Sequence, residues 1–304
     1  MTANKDQHWV SSSYLQAWTD PNKPEHYEPF VHIFNRCGGE HRRKSPKNIF
    51  NMPDLYTIFA GEQRDLSLEQ HLSRLERDFV RVRKLIEAAG YGDSKDVAAL
   101  YGFVAAMIAR PPQKIDHMAQ QWSSIVAKAR TIHIDPKIKP IRRIGSDHGP
   151  GMTLDEAQRM ADDQMGTWFP HSLNAYIRVL TERFGCDILI NGSPHPFLTS
   201  DNPAVVYWPP RDEDASGRML PARGLGSPGC EITMALSPTH GLLFTHKPPG
   251  VHDWRVLDWE GVYDINFRTI TRAHTTIVSD REDLFFVRTV LDLISQHESA
   301  GATR

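Results

Sequence analysis

The stretch "SLNAYIRVLTERFGCDILING", Ser172 to Gly192, changes character at Gly185. Up to Phe184 it continues a helical region. From Cys186 it reads as a strand, and the segments that follow, "FLTSDNP", "AVVYW", "ITMALSP", "GLLFTH" and "RTITRAHTTIVS", are short and strand-like as well. A run of helices followed by a run of strands points to an α+β fold rather than an alternating α/β one. The expected architecture is a central helical bundle packed against a mostly antiparallel sheet built from N-terminal and C-terminal strands.

Towards the N-terminus the helical reading sharpens. Leu68, Leu72, Leu75, Phe79, Val82 and Ile86 recur at three- and four-residue steps between Leu66 and Ala89, which makes an amphipathic helix with Gly90 as its stop. Val97 to Ala109, "VAALYGFVAAMIA", is apolar nearly all round and reads as a helix buried in the bundle, ended by "RPP" because proline cannot continue the hydrogen-bond ladder. Another helix is expected from His117 to about Thr131, then a basic loop, "KIKPIRRIGSDHGPG", and then a helix opened by Thr153 with Glu156 at the capping-box position. A last helix is expected from Asp283 to His297. Near the start, "FVHIF" (Phe30 to Phe34) reads as a strand before a Gly-Gly turn, and it would most simply join the C-terminal sheet. No segment has the composition of a linker, so the expectation is one domain over residues 1–304. Its regions are a strand and turn region (1–65), a helical region (66–184), a strand-rich region (185–282) and a C-terminal helix and tail (283–304).

Composition narrows the function classes. An apolar share of 40% with 24% charge is that of an ordinary globular chain, and a net charge of -2 gives no global nucleic-acid footprint, so such a role would rest on local basic patches. Cys37, Cys186 and Cys230 are odd in number and in no CxxC spacing, which argues against a disulfide framework and for a reducing cytoplasm. The N-terminus lacks a signal-peptide pattern, and no stretch approaches the roughly 20 apolar residues of a membrane span.

Three places stand out for chemistry. In "FLTSDNPAVVY" (Phe197 to Tyr207) a strand delivers Asp201 to its end, and Pro203 biases Asn202 towards an extended conformation that projects polar side chains off the sheet. The plainer alternative is an Asx-turn in which Asp201 and Asn202 bond their own backbone. In "QHWVSSSYL" the residues His8, Ser11 and Tyr14 lie at helical spacings, with a proton-exchanging imidazole and a phenol, or simply form a capped first helix. Arg110, at the end of a buried helix, needs a carboxylate or phosphate, and Asp201 is one candidate partner.

Two basic clusters in expected loops, Arg42, Arg43 and Lys44, and Lys137, Lys139, Arg142 and Arg143, are ordinary solvated charge or a grip on phosphates. Seven tryptophans offer stacking surfaces where exposed. No HxxxH, HExxH or DxDxDG signature occurs among 15 histidines, so neither metal nor cofactor is expected. Asp54 and Glu62 superficially match a nuclease pair, but Arg64 stands where a lysine is wanted. "GLGSPG" lacks the strand-to-helix context of a dinucleotide site, and there is no GxSxG elbow.

With "HWVSSSYLQAW", "ARPP", "FLTSDNPAV" and "MALSPTHGLLF" in this order, the sequence resembles the bacterial domain of unknown function 4238 family from His8 to about Asp280. The resemblance implies that His8, Tyr14, Arg110, Asp201 and Asn202 occupy the family's motif positions, and it brings no activity with it. After Val10 the family has Pro-Gln where this chain has Ser11 and Ser12, so no role of that Gln carries over.

If the five residues converge, they suit hydrolysis through a cationic sugar-like transition state. Asp201 would orient water or stabilise positive charge, Asn202 and Tyr14 would hold substrate, and Arg110 would hold a phosphate. The expected function is therefore cleavage of an N-glycosidic bond in DNA or a nucleotide, on a flipped modified base in defence against phage. The alternatives are a non-catalytic module that binds a ligand or nucleic-acid end, and a metal-dependent nuclease. Oligomeric state is not legible in the sequence.

Overall fold

The computed structural model describes residues 6–38, 41–60, 63–88, 94–131, 152–208, 224–282 and 287–291. The chain begins with β1 (Asp6–His8), a single helical turn α1 (Ser12–Leu15) and a 3-10 turn (Gln16–Trp18). Then come β2 (Val31–Asn35), β3 (Arg42–Lys44), β4 (Asn51–Pro53), β5 (Ile58–Ala60) and β6 (Gln63–Asp65). The helical region holds α2 (Ser67–Glu87), α3 (Ser94–Ala109), α4 (Pro112–Thr131), α5 (Leu154–Asp162) and α6 (Trp168–Arg183). Next are β7 (Phe184–Asn191), β8 (Thr199–Ser200), β9 (Val205–Tyr207), β10 (Glu231–Ala235), β11 (His240–His246) and β12 (Gly250–Leu257). Helix α7 (Trp259–Arg272) and β13 (Thr276–Ser279) follow, and residues 287–291 are helical.

The fold is α+β. Helix α3 packs on α2 on one side and α6 on the other, and α6 runs straight into β7, as the change of pattern at Gly185 requires. Burial on every face explains why α3 is apolar all round, whereas α2 buries one stripe, Leu68, Leu72, Phe79, Val82 and Ile86. Pro111 ends α3 and Pro112 opens α4, where a missing N–H is harmless. That helix therefore starts five residues before His117. Thr153 and Glu156 form the expected reciprocal capping box at the start of α5.

The expected single sheet is divided. A five-stranded sheet has the order β12-β7-β11-β10-β9, all antiparallel except β12 against β7. A four-stranded antiparallel sheet, β3-β2-β13-β8, joins the N-terminal strand to the C-terminal half, with Ile277 opposite Phe34 and Ser200. Two small antiparallel pairs, the long-range β1-β4 and the hairpin β5-β6, complete the N-terminal region. One core cluster runs from Val10 through the helices to Val278, and a smaller one under α7 unites Phe34, Leu198, Ile270, Ala273 and Ile277 with Val287 and Val290.

Three expectations are corrected. "RTITRAHTTIVS" is not one strand, because Arg268 to Arg272 close α7 and only Thr276–Ser279 are extended. His8 lies in β1 and not on a helix with Tyr14, because the register with Asn51 draws it into a strand. Arg42, Arg43 and Lys44 form edge strand β3 instead of a loop, and their charge keeps that edge from pairing with another chain. Gly90, the loop with Lys137, Lys139, Arg142 and Arg143, and most of the expected last helix lie outside the described residues. No helix among the described residues is long and apolar enough to cross a membrane.

Candidate functional site

Thr199 and Ser200 form a two-residue strand that stops where Asp201 turns its side chain across to the α7–β13 connection. Its carboxylate accepts four hydrogen bonds: from the His274 N–H at 2.8 Å, the Thr275 N–H at 2.7 Å, the Thr275 hydroxyl at 2.9 Å and the Thr276 N–H at 3.0 Å. The residue is only 3% exposed. This is neither an Asx-turn nor a partner for Arg110. It is a long-range clamp in which a carboxylate neutralises three successive backbone donors, the charge-assisted kind of hydrogen bond. Oδ2 accepts three of these bonds and Oδ1 one, so the carboxylate is engaged in holding the turn. Asn202 continues the stitching by donating from Nδ2 to the Arg272 carbonyl at 2.9 Å.

Arg110 is buried and finds its carboxylate in Glu76, on α2, at 2.6 Å. It also donates from Nε to the Tyr56 hydroxyl at 3.2 Å, from Nη2 to the His8 carbonyl, and lies over the Tyr56 ring. Burial works against its charge, but Tyr56 and Glu76 hold its pKa above the usual range. Burial pushes the Tyr56 phenol up to about 12 despite Arg110. Glu76 also accepts from the Ser11 hydroxyl at 2.9 Å, so one acid ties the N-terminal segment to α2 and to the end of α3. Glu76 is the residue that sequence reasoning missed here. Its signal is a carboxylate on the amphipathic helix at the boundary of its apolar stripe.

Tyr14 is fully buried, with its hydroxyl 2.7 Å from the Thr199 hydroxyl and donating to the Ala235 carbonyl at 2.8 Å. Burial pushes its phenol pKa up. The half-buried His8 places Nε2 3.2 Å from the Lys47 carbonyl, and burial lowers its pKa. The five motif residues thus divide. His8 and Arg110 meet at the Glu76 network, Tyr14 sits in the core behind β8, and Asp201 and Asn202 clamp the α7–β13 turn. The Trp9 indole, donating to the Asp201 carbonyl at 3.2 Å, links the first group to the third.

A cavity of about 320 Å³ opens beside that clamp, between the α3–α4 corner, the segment after Asp201 and the α7–β13 turn. Ile108, Pro111, Ala204 and Val206 give it an apolar floor, while Gln113, Lys114, His117, Asn202, Arg272 and His274 supply the polar groups. None of the residues that line it is acidic. The N-terminus of α4, the positive end of a 20-residue helix, lies at the same wall. Lys114 donates to the Ile108 carbonyl at 3.1 Å and stands over the Tyr176 ring, and His117 pairs with Gln121. The Arg272 side chain is exposed and has no hydrogen bond or ion pair among the described residues. Of the sequence-chosen residues only Asn202 lines this cavity.

Away from the cavity, Arg43 pairs with Glu282 at 3.4 Å and covers the Phe30 ring. Asp54 is paired with Arg64, which accounts for that arginine without any nuclease chemistry. Trp254 and Trp259 are the exposed tryptophans, on β12 and α7, whereas Trp18 and Trp168 are buried. All three cysteines are free, Cys37 exposed and the other two buried.

No curated protein and no solved structure matches the chain. A family model does, over residues 6–283, which take in every element from β1 to β13, and its description reads "Protein of unknown function (DUF4238)". The segments "HWVSSSYL", "ARPP" and "TSDNP", which knot the N-terminal strand, the helices and the sheets together, all fall within that match, and the chain belongs to the DUF4238 family.

Proposed function

We propose that this protein binds a phosphate-bearing ligand, a nucleotide or the end of a nucleic acid, in the cavity at the α7–β13 turn. The observation that carries the reading is Arg272, an exposed guanidinium on a cavity wall without a partner among the described residues, beside Lys114, His117 and His274 and with no carboxylate among the described residues that line the space. A planar guanidinium matches phosphate oxygens bidentately, the helix N-terminus adds favourable dipole, and the apolar floor suits a base or sugar face. The test is titration calorimetry with nucleoside mono- and diphosphates, and anisotropy with short labelled single strands, on the wild type and Arg272→Glu. Saturable binding weakened at least tenfold by the substitution supports the reading, and binding indifferent to it sinks it.

Hydrolysis of an N-glycosidic bond in such a ligand is the second reading. With the Asp201 carboxylate engaged in the clamp and outside the cavity lining, the proton transfers would fall to His117 or His274, which line the cavity. An abasic-site assay on plain and modified DNA, repeated with His117→Ala and His274→Ala, separates turnover from binding alone.

A further inference from the structure

At the far end of β13 from the cavity, four side chains form a line: Asp20, His32, His41 and Glu282. His32, on β2 and 1% exposed, points Nε2 at the Asp20 carboxylate at 2.8 Å. Its Nδ1 lies 2.6 Å from Nε2 of His41, and Nδ1 of His41 faces Glu282 at 3.5 Å. The rings of Phe30 and Phe34 flank the two imidazoles.

A carboxylate only accepts, so Nε2 of His32 carries its hydrogen towards Asp20, and a neutral imidazole then has a lone pair on Nδ1. That lone pair points towards Nε2 of His41, and one ligand atom from each of His32, His41 and Glu282 lies within 4.8 Å of the others. Asp20 and Glu282 stand at the two ends of the cluster, and Arg43 is the positive neighbour of Glu282.

We propose that His32, His41 and Glu282 form a site for a divalent transition metal of the zinc class, with Asp20 as the residue that orients His32. Carboxylate-bound histidines are how metal-ligating imidazoles are held in tautomer and direction. Two histidines and one carboxylate leave a tetrahedral ion one position for water. At bond lengths of 2.0–2.1 Å the two nitrogens would stand roughly 3.3 Å apart, so loading moves His41 outward by well under 1 Å. His41 immediately precedes the edge strand β3, and Glu282, 45% exposed, has room to swing in. No sequence motif announces the site, because the ligands meet only through the β2–β3 hairpin and the end of β13.

The experiment is titration of chelator-stripped full-length protein with Zn²⁺ by calorimetry and with Co²⁺ by visible absorption. The expected result is one ion per chain with micromolar or tighter affinity. It should be weakened at least 100-fold in His41→Ala and in His32→Ala, 10–100-fold in Asp20→Asn, and unchanged in Cys37→Ser. No saturable binding by the wild type, or binding that survives His41→Ala, overturns the proposal. His41 is at the edge, so that variant serves where His32→Ala fails to fold.

Discussion

Asp201 and Thr275 meet twice, the Thr275 N–H donating to Oδ2 at 2.7 Å and its hydroxyl donating to the same oxygen at 2.9 Å. The "TSDNP" segment is thereby a fastening for the turn that follows α7, and of the cavity-lining residues Arg272 closes α7 while His274 lies within the turn itself.

Asp201→Asn should act on stability before it acts on binding. An amide presents donors where the site presents three N–H groups, so the loss should be about 2–4 kcal/mol in urea unfolding. Ligand affinity measured well below the melting temperature should stay within threefold. An unchanged midpoint would show that the clamp is dispensable.

Tyr14→Phe should cost about 1–2 kcal/mol, because the Ala235 carbonyl and Thr199 hydroxyl lose a buried partner while the aromatic packing on Trp18 and Phe79 remains. Any turnover of the protein should survive it. Selective loss of turnover with unaltered stability would instead bring the phenol into chemistry.

Arg110 and Glu76 should be coupled. A double-mutant cycle with Arg110→Met and Glu76→Gln should give an interaction of about 1–3 kcal/mol, since either single change strands a buried partner. Additive losses would mean that the pair is held only by its surroundings.

Stability should fall as the medium is acidified. His8 and His240 have folded pKa values lowered chiefly by burial. The unfolded chain therefore takes up protons first, and this contribution is present above about pH 6.5 and lost as the pH falls through the lower folded values. Urea midpoints between pH 5 and 7.5 should rise with pH, and His8→Asn should flatten the curve. A slope of opposite sign would refute the assignment.

What could be read in advance follows range. The stripe of α2, the all-apolar α3 and the Thr153 capping box are local patterns, and they stand in the structure as written. Helix α7 hid because Thr269, Ile270 and Thr271 are β-branched and suggest a strand, although Asp258 caps its start through the Gly261 N–H and Val262, Ile265, Thr269 and Ile270 make one buried face. Asp201 stands in a polar cluster at a strand end, which is a local pattern. Its partners are 73–75 residues further on, however, beyond the reach of any local rule. The cavity draws on three such distant segments.

The pairing of β2 with β13 sets a timetable for biosynthesis. Asn35 pairs with Thr276, and at about 5–20 residues per second a ribosome needs roughly 12–50 s to make the chain between them. Until then the Val31–Asn35 strand has β3 as its sole sheet neighbour among the described strands, and Phe34 lacks Ile270, Ala273 and Ile277 of its core cluster. Newly made chains thus carry an open β2 edge, on the side away from β3, until their last strand arrives, the kind of edge that invites pairing between chains.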